Sequence, residues 1–325
     1  VNDSRGRIAV TGVAGFIGSN LADHLLLEGY DVVGIDNLAY GVKEQIPDGV
    51  DFRQVDVRDA ALVDHLRGVD AIFHLAAKNC IADCQDDPVE TSDINVTGTV
   101  KLFEAARRAG VKRVIYAESS AVYEGSRILP TPEHDVHPES FYAVSKAAGM
   151  LFAEAYRRFF GMETTALRYF NVYGPRQDYR RTIPPVMSAF MIKLLRGERP
   201  VIYGDGSKRR DFVYVDDVNA FHLLCLRDPR TIGNVYNVGS GKSTSVREIF
   251  DAIAALTGSK LEPECKPDLS GEAQENRADI SAARALGWEP RVDLHEGLRR
   301  SIDYIVRAGI AGGANATASK AAAEA

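Results

Sequence analysis

Short apolar runs at 7–11, 31–35, 71–75, 113–117 and 164–169 alternate with longer stretches at 16–28, 89–109 and 141–160 whose apolar residues recur at helical spacing. Runs of Val, Ile, Ala and Leu with little polar interruption suit strands buried on both faces, and the intervening helices supply the cover. The pattern predicts an α/β fold, a Rossmann-type doubly wound parallel sheet. After Gly174-Pro175 the alternation gives way to loops and shorter elements, among them the turn-rich Tyr203-Gly204-Asp205-Gly206-Ser207. Helical periodicity returns at 217–226, 246–256 and 294–306, and 235–238 reads as a strand able to rejoin the main sheet. The expected organisation is a sheet domain of 1–172 with about 210–245, and a smaller, discontinuous α/β lobe of about 173–209 and 246–310. Residues 311–325 are small and of low complexity, with no core-forming side chains, and receive no function.

Composition narrows the class more than the fold. The chain has 325 residues, 45% hydrophobic and 26% charged, enough for a sizeable core. A formal net charge of −6 argues against a dedicated nucleic-acid binder, so any phosphate recognition must be local. No apolar run approaches a membrane span, and the start lacks the apolar centre of a signal peptide, so a cytoplasmic location is expected. Cys80, Cys84, Cys225 and Cys265 have neither zinc-ligand spacing nor the density of a disulfide scaffold. They read as reduced thiols, and no metal site is expected.

Two clusters carry chemistry. Gly12, Gly15 and Gly18 fall where the first strand ends and a helix begins, where glycines let backbone approach a pyrophosphate at a helix N-terminus, here opened by Phe16 and Ile17. The second strand ends at Asp36, a carboxylate suited to adenosine ribose hydroxyls and hostile to a 2′-phosphate. Asn37, Leu38 and Ala39 follow, with no cation, so NAD is expected over NADP. The other cluster is Tyr142-Ala143-Val144-Ser145-Lys146, which puts an ammonium one helical turn from a phenol. Moving a phenol from its usual pKa of about 10 to near 7 needs roughly 4 kcal/mol of differential stabilisation of the phenolate. A lysine and a cationic nicotinamide together are able to supply it. Tyr-x-x-x-Lys alone is common on helices, and the glycine-rich turn is what gives it meaning.

These glycines, His74-Leu75-Ala76-Ala77, Asn95 in Asn-Val-Thr-Gly-Thr, Glu118-Ser119-Ser120-Ala121-Val122-Tyr123, and Tyr142 with Lys146 occur in one order. The chain thereby resembles the extended short-chain dehydrogenase/reductase family, especially its nucleotide-sugar epimerases and dehydratases, over nearly its whole length to about residue 306. The resemblance implies cofactor contacts from Leu75, Ala76, Ala77, Asn95 and Asn37, adenine contacts from Asp56 and Val57, and a bridge from Lys146 to the nicotinamide ribose. A turn carboxylate after a short strand is the structural alternative for Asp56. A homodimer built on helices 89–109 and 141–160 is implied by the same analogy.

The residues before Tyr123 separate reactions. Sugar-nucleotide 4,6-dehydratases resemble Thr-Asp-Glu-Val-Tyr there, because elimination needs an extra acid and base; this chain has Ser119-Ser120-Ala121-Val122-Tyr123. The decarboxylases that form UDP-xylose keep a glutamate where Ala121 stands. Glu118 is no substitute, since one residue earlier on a strand faces the other side of the sheet. Ser119, Tyr142 and Lys146 remain, a set suited to oxidising a hydroxyl and reducing the resulting ketone, as in an NAD-dependent UDP-hexose 4-epimerase. Ser120 is the less suited neighbour, placed near substrate.

At the passage from the sheet domain into the lobe, Leu167-Arg168-Tyr169-Phe170-Asn171-Val172-Tyr173-Gly174-Pro175 resembles the segment at which these epimerases leave the nucleotide domain, with Asn171 directed to the diphosphate. The resemblance also implies that Tyr203 packs on uracil and Arg210 pairs with the diphosphate, whereas a solvated charge run is the plain account of Lys208 to Arg210. An arginine is usual just before the Gly-Glu pair, where Leu269-Ser270 precedes Gly271-Glu272, which removes a second phosphate contact, with Arg277 as its candidate replacement. The other departures concern the sugar: Glu124 stands where a glycine usually follows Val-Tyr, and the 78–83 loop is unusual. Hexuronate 4-epimerases resemble a threonine at Asn171 and an arginine at Asp178, so the neutral-hexose pattern fits better, although Arg180 or Arg181 could reach a carboxylate. Two further readings stay open, a nucleotide-sugar 4-ketoreductase and a non-catalytic NAD-binding sensor; a third, a phosphate-binding loop at Gly239-Ser240-Gly241-Lys242-Ser243-Thr244, does not. The last fails its pattern at Tyr236, where the first glycine belongs.

Overall fold

The computed structural model describes residues 5–180, 184–268 and 273–312. Six strands, β1 (Arg7–Thr11), β2 (Asp31–Asp36), β3 (Asp51–Gln54), β4 (Ala71–His74), β5 (Arg113–Ser119) and β6 (Glu163–Tyr169), join Val235–Val238 in a single seven-stranded sheet. Every pair in it is parallel. The order across the sheet is Val235–Val238, β6, β5, β4, β1, β2, β3. The fold is the doubly wound, Rossmann-type α/β architecture that the apolar pattern predicts.

The period of two along each strand builds the layers. Val10, Phe73 and Ile115 point into one core with Leu21, Leu25, Val218 and Phe221 of helices Phe16–Leu27 and Val215–Arg227. Their neighbours Ala9, Ile72 and Val114 point into the other, with Leu102, Phe103, Ala153 and Tyr156 of helices Gly98–Ala109 and Phe141–Phe160. Each face is covered, which is why these strands carry no polar alternation.

β1 lies where the strand order turns. Its Thr11 lies level with Ile35 of β2 on one side and His74 of β4 on the other. The chain leaves β1 toward β2 and β3, then crosses back to β4, so the strand order reverses there. A crevice opens at the carboxyl ends of strands at such a reversal.

The structure departs from the sequence pattern in particular places. β3 was not among the expected strands, because Asp-Phe-Arg-Gln lacks an apolar run; it is an edge strand, paired only with β2, whose polar residues face water. Region 89–109 is three consecutive segments, Pro88–Ser92, a π-helical turn Asp93–Thr97 and Gly98–Ala109. Val186–Leu195 is a helix not named in advance, within the region expected to hold loops and shorter elements; apolar nearly all round, it buries against Val246–Thr257. Phe141–Phe160 has the expected bounds: Ser140 accepts a cap bond from Ala143 N, and Gly161 closes the helix with left-handed backbone at φ +68.

Beyond β6 a separate core gathers Tyr173, Met187, Phe190, Ile249, Phe250, Leu298 and Ile302. Small sheets pair Asn171–Tyr173 with Phe212–Tyr214, Arg209–Arg210 with Thr244–Ser245, and Val201–Tyr203 with Glu264–Lys266. Arg181 and the Leu269 to Glu272 stretch lie outside the described residues. No helix among the described residues is long and apolar enough to cross a membrane.

Candidate active site

The glycine-rich turn shows why it needs glycine. Gly12 has φ +73, and a Cβ there would lie 2.9 Å from Ala76 N. At Gly18 a Cβ would lie 2.2 Å from the carbonyl oxygen of Gly12, so helix and turn meet backbone to backbone. Gly15 is the N-cap of helix Phe16–Leu27; no side chain caps it and its first turn holds no acid. The amides of Phe16, Ile17 and Gly18 open this helix at the crevice, an arrangement that suits a phosphate.

Asp36 ends β2 beside that turn. Its carboxylate accepts from Ala14 N at 3.0 Å and Leu38 N at 2.8 Å, which fixes it against the glycine loop. Burial pushes its pKa up, and the two amides oppose this. A buried carboxylate with lone pairs left over fits a ribose diol and would repel a second phosphate. The turn, the uncapped helix and Asp36 together fit NAD.

Asp56 is engaged by protein. It accepts from Arg58 N, Nε and Nη2 at 2.8, 2.9 and 2.8 Å and from Asn37 Nδ2 at 2.8 Å. Arg58 holds its pKa well below the usual carboxylate range. Asp56 and Asn37 therefore tie the loops after β2 and β3 together, and Val57 is buried beside them against Gly98.

The end of β4 is set by a buried chain of hydrogen bonds. Thr99 Oγ1 donates to the Asn95 carbonyl at 2.6 Å, so it accepts from His74 Nε2 at 3.0 Å. His74 Nδ1 then accepts from Thr11 Oγ1 at 2.8 Å, which accepts in turn from Leu75 N and Ala76 N, both at 3.1 Å. Burial drives the imidazole pKa down to about 3, with Lys146 adding to the effect, so His74 is neutral and its tautomer follows from its partners. The Leu75-Ala76-Ala77 stretch leaves the sheet from this anchor. Asn95, inside the π turn, accepts from Lys78 N at 2.8 Å and donates to Lys78 O at 2.9 Å and Ser145 Oγ at 3.0 Å. It joins the loop after β4 to the helix that carries Tyr142 and Lys146; π turns of this kind recur at functional sites.

Lys146 is 4% exposed. Its ammonium lies 4.6 Å from the centre of the Tyr116 ring, and the Tyr116 hydroxyl donates to the Lys146 carbonyl at 3.1 Å. Burial lowers the lysine pKa to about 8, while the Glu118 carboxylate acts the other way. At pH 7 it remains charged and dehydrated, so its field on the phenol one turn away is weakly screened. Tyr142 is half-buried, at the second position of the helix. Ser119, also half-buried, ends β5 and accepts from Ala121 N at 3.2 Å; Ser120 starts the short 3-10 helix Ser120–Tyr123. Glu118 is turned away as alternation requires, 2% exposed and paired with Arg168 Nε at 2.5 Å. Arg168 also donates to Tyr123 Oη at 2.8 Å and to the Glu133 carbonyl.

On the lobe side, Asn171 donates to the Asp211 carbonyl at 2.9 Å and to Asn276 Oδ1 at 3.3 Å, and Arg210 Nη1 donates to Ala273 O at 2.9 Å. Tyr203 is exposed at the end of its strand, a ring free to stack. The Gly239 to Thr244 loop closes on the protein's own carboxylate: Asp211 accepts from Ser240 N at 2.6 Å, Ser240 Oγ at 2.7 Å, Gly241 N at 3.0 Å and Ala278 N at 3.0 Å. The two-residue strand Thr244–Ser245 precedes the next helix, so this loop does not open a helix as a phosphate-binding loop must. Two residues noted in the sequence have roles that it did not show, His74, whose imidazole anchors the end of β4, and Glu124, whose carboxylate caps the Tyr142 helix. Their partners lie far away in the chain. The four cysteines are free.

Residues 8–239 match the model of the NAD dependent epimerase/dehydratase family. A UDP-glucose 4-epimerase of Mycolicibacterium smegmatis is 41% identical over 309 residues, covering 92% of this chain and 98% of that protein. The UDP-glucose 4-epimerase of Thermotoga maritima, solved with UDP-glucose, has a TM-score of 0.89 at 36% identity, covering 93% of this chain and 99% of that one. The Thermus thermophilus UDP-glucose 4-epimerase, solved with NAD, has a TM-score of 0.85 at 34% identity over 92% and 98% of the two chains. A strand-reversal crevice with an uncapped helix, the Asp36 carboxylate at the end of β2, and Tyr142 one helical turn from a buried Lys146 accord with these likenesses, and the chain belongs to the NAD dependent epimerase/dehydratase family.

Proposed function

We propose that this protein is an NAD-dependent UDP-sugar 4-epimerase of the UDP-glucose/UDP-galactose type. The observation that carries the reading is the buried Lys146 ammonium one turn from Tyr142, on a helix bound to the site through Asn95 and Ser145. Ser119 hydrogen-bonds the sugar 4-oxygen, and Tyr142, as phenolate, takes its proton. Lys146 holds the phenolate and reaches the nicotinamide ribose. Bound NAD would supply the hydride acceptor for C4 and the donor for its return. The 4-keto sugar turns over between these events, and Tyr142 gives the proton back on the other face. Ala121 leaves no carboxylate for elimination, which favours epimerisation over dehydration.

For cofactor binding we assign Gly12, Gly15, Phe16, Ile17 and Gly18 to the pyrophosphate and Asp36 to the adenosine ribose. Asn37, Asp56 and Val57 line the adenine end, and Leu75, Ala76, Ala77 and Asn95 the nicotinamide end. Asn171, Tyr203 and Arg210 receive the UDP moiety, with Ser120 near the sugar, and the lobe of 173–209 and 246–310 is the substrate half. Phe141, Val144, Leu151 and Phe159 are exposed along one helix, an apolar face consistent with a homodimer through that helix. Free thiols accord with a cytoplasmic location. Light scattering that gave a monomer at micromolar concentration would remove the dimer.

The deciding experiment incubates the protein with a panel of UDP-sugars without added reductant and reads products by NMR. UDP-glucose or its N-acetylamino relative yields the C4 epimer with no net NADH, and Tyr142→Phe abolishes this while NAD stays bound. A 4-keto-6-deoxy product would mean dehydration, and conversion of UDP-glucuronate alone would move the enzyme to the hexuronate branch. Turnover that appears only in a parallel sample given NADH or NADPH, with its net consumption, would mean a ketoreductase, and no turnover with NAD bound a sensor.

A further inference from the structure

Ser119 and Tyr142 must meet one sugar oxygen, yet they belong to different elements, the end of β5 and the first turn of helix Phe141–Phe160. Glu124 joins them. It closes the 3-10 helix Ser120–Tyr123 and reaches across with its carboxylate: Oε2 accepts from Ser140 N at 2.7 Å and Glu139 N at 3.2 Å, and Oε1 accepts from Ser140 Oγ at 2.9 Å. Ser140 Oγ is itself the cap of the helix, accepting from Ala143 N at 3.1 Å. Backbone bonds flank the carboxylate, His137 N to Val122 O at 2.8 Å and Gly125 N to His137 O at 3.0 Å. A Cβ on Gly125 would lie 2.8 Å from Glu139 Oε1 and 3.0 Å from His137 Cβ, so the two segments are in close contact there.

We propose that Glu124 is a positioning residue for the reaction, clamping the first turn of the Tyr142 helix to the strand end that carries Ser119. Tyr142 stands two residues beyond Ser140, inside the turn that Glu124 and Ser140 cap together. An acid at a helix N-terminus also stabilises the helix. Without the carboxylate the amides of Glu139 and Ser140 turn to water, the segment 137–140 keeps only its backbone bonds to 122–125, and the phenol loses its fixed distance from the serine. A misplacement of about 1 Å at such a site costs on the order of 100-fold in rate.

The inference rests on the epimerase reading, and turnover of UDP-glucose by the wild-type protein is the control: its absence would defeat that reading and not the clamp. With turnover present, the test compares Glu124→Ala, Glu124→Gln and Glu124→Asp as NAD-loaded enzymes, using UDP-glucose with hydrogen or deuterium at C4. The expected result for Glu124→Ala is kcat lower by roughly 10- to 100-fold, with KM and NAD content within about twofold of wild type. Its deuterium effect on kcat rises, because the misaligned chemical step becomes limiting. Glu124→Gln keeps an acceptor oxygen at the same reach and restores kcat to within about threefold, which identifies geometry and not charge as the contribution. Glu124→Asp, one methylene short, resembles the alanine variant, and it decides the matter if the alanine variant does not fold. Wild-type kcat in Glu124→Asp would overturn the proposal. So would a loss of kcat with no rise in the isotope effect, or a glutamine variant as impaired as alanine with its pH profile shifted.

Discussion

Replacing Lys146 by methionine separates what the lysine does for the reaction from what it costs the fold. The side chain is 4% exposed, and burial brings its pKa from the ordinary 10.5 down to about 8. A difference of about 2.5 pKa units means that carrying the ammonium at pH 7 costs the folded state about 3 kcal/mol relative to the unfolded chain. The contact with the Tyr116 face at 4.6 Å returns about 1 kcal/mol. Between about pH 8 and 10.5 the unfolded chain holds more protons than the folded one, so wild-type stability rises with pH through that window. Methionine has a similar length and no charge. Cofactor-stripped Lys146→Met is therefore expected to be more stable than wild type by about 2 kcal/mol at pH 7, and by only about 1 kcal/mol at pH 9.5, while epimerase activity falls by at least about 100-fold. Urea unfolding of both proteins at the two pH values, with activity measured on the NAD-loaded forms, provides the check. A variant less stable than wild type at pH 7, or a gain that does not change with pH, would refute the reasoning.

Gly18→Ala is expected to destabilise the protein by about 1–3 kcal/mol and to weaken NAD binding, because its Cβ would lie 2.2 Å from Gly12 O, whereas Gly15→Ala, at 3.2 Å from the same atom, costs less stability; thermal unfolding and calorimetric titration check the order, and the reverse order would count against it. Calorimetry with both dinucleotides should show NAD preferred by wild type and the preference narrowed in Asp36→Ala, since the carboxylate fixed by Ala14 N and Leu38 N is removed; tighter NADP binding by wild type would sink the assignment. His74 and His222, both fully buried with pKa values lowered to about 3, should show neutral imidazole signals by NMR down to about pH 4. Because the unfolded chain takes up their protons from about pH 6.5, stability from these two groups declines as pH falls through that window toward 3. Protonation of either imidazole in the folded state near pH 6 would contradict this.

The local patterns were readable in the sequence because their partners lie within a few residues. Apolar runs gave six strands of the sheet, and the Phe141–Phe160 helix has the expected bounds because Ser140 and Gly161 cap it from adjacent positions. β3 was missed since an edge strand needs no apolar run, and Val186–Leu195 since a helix buried on all sides loses the periodicity that marks a half-buried one. Spacing placed Tyr142 and Lys146 on one face, and alternation turned Glu118 away from Ser119. The environment of those side chains was not readable. Lys146 loses its water because Tyr116, 30 residues away, packs against it; Asn95 spans 50 residues to Ser145; Asp211 fills the Ser240 to Gly241 loop 29 residues on; and Glu124 caps a helix 16 residues downstream. Residue identity and short spacing determine which groups are available and which face they occupy. Desolvation and hydrogen bonding between distant segments determine their charge and aim, and those arise only when the sheet brings the strand ends together.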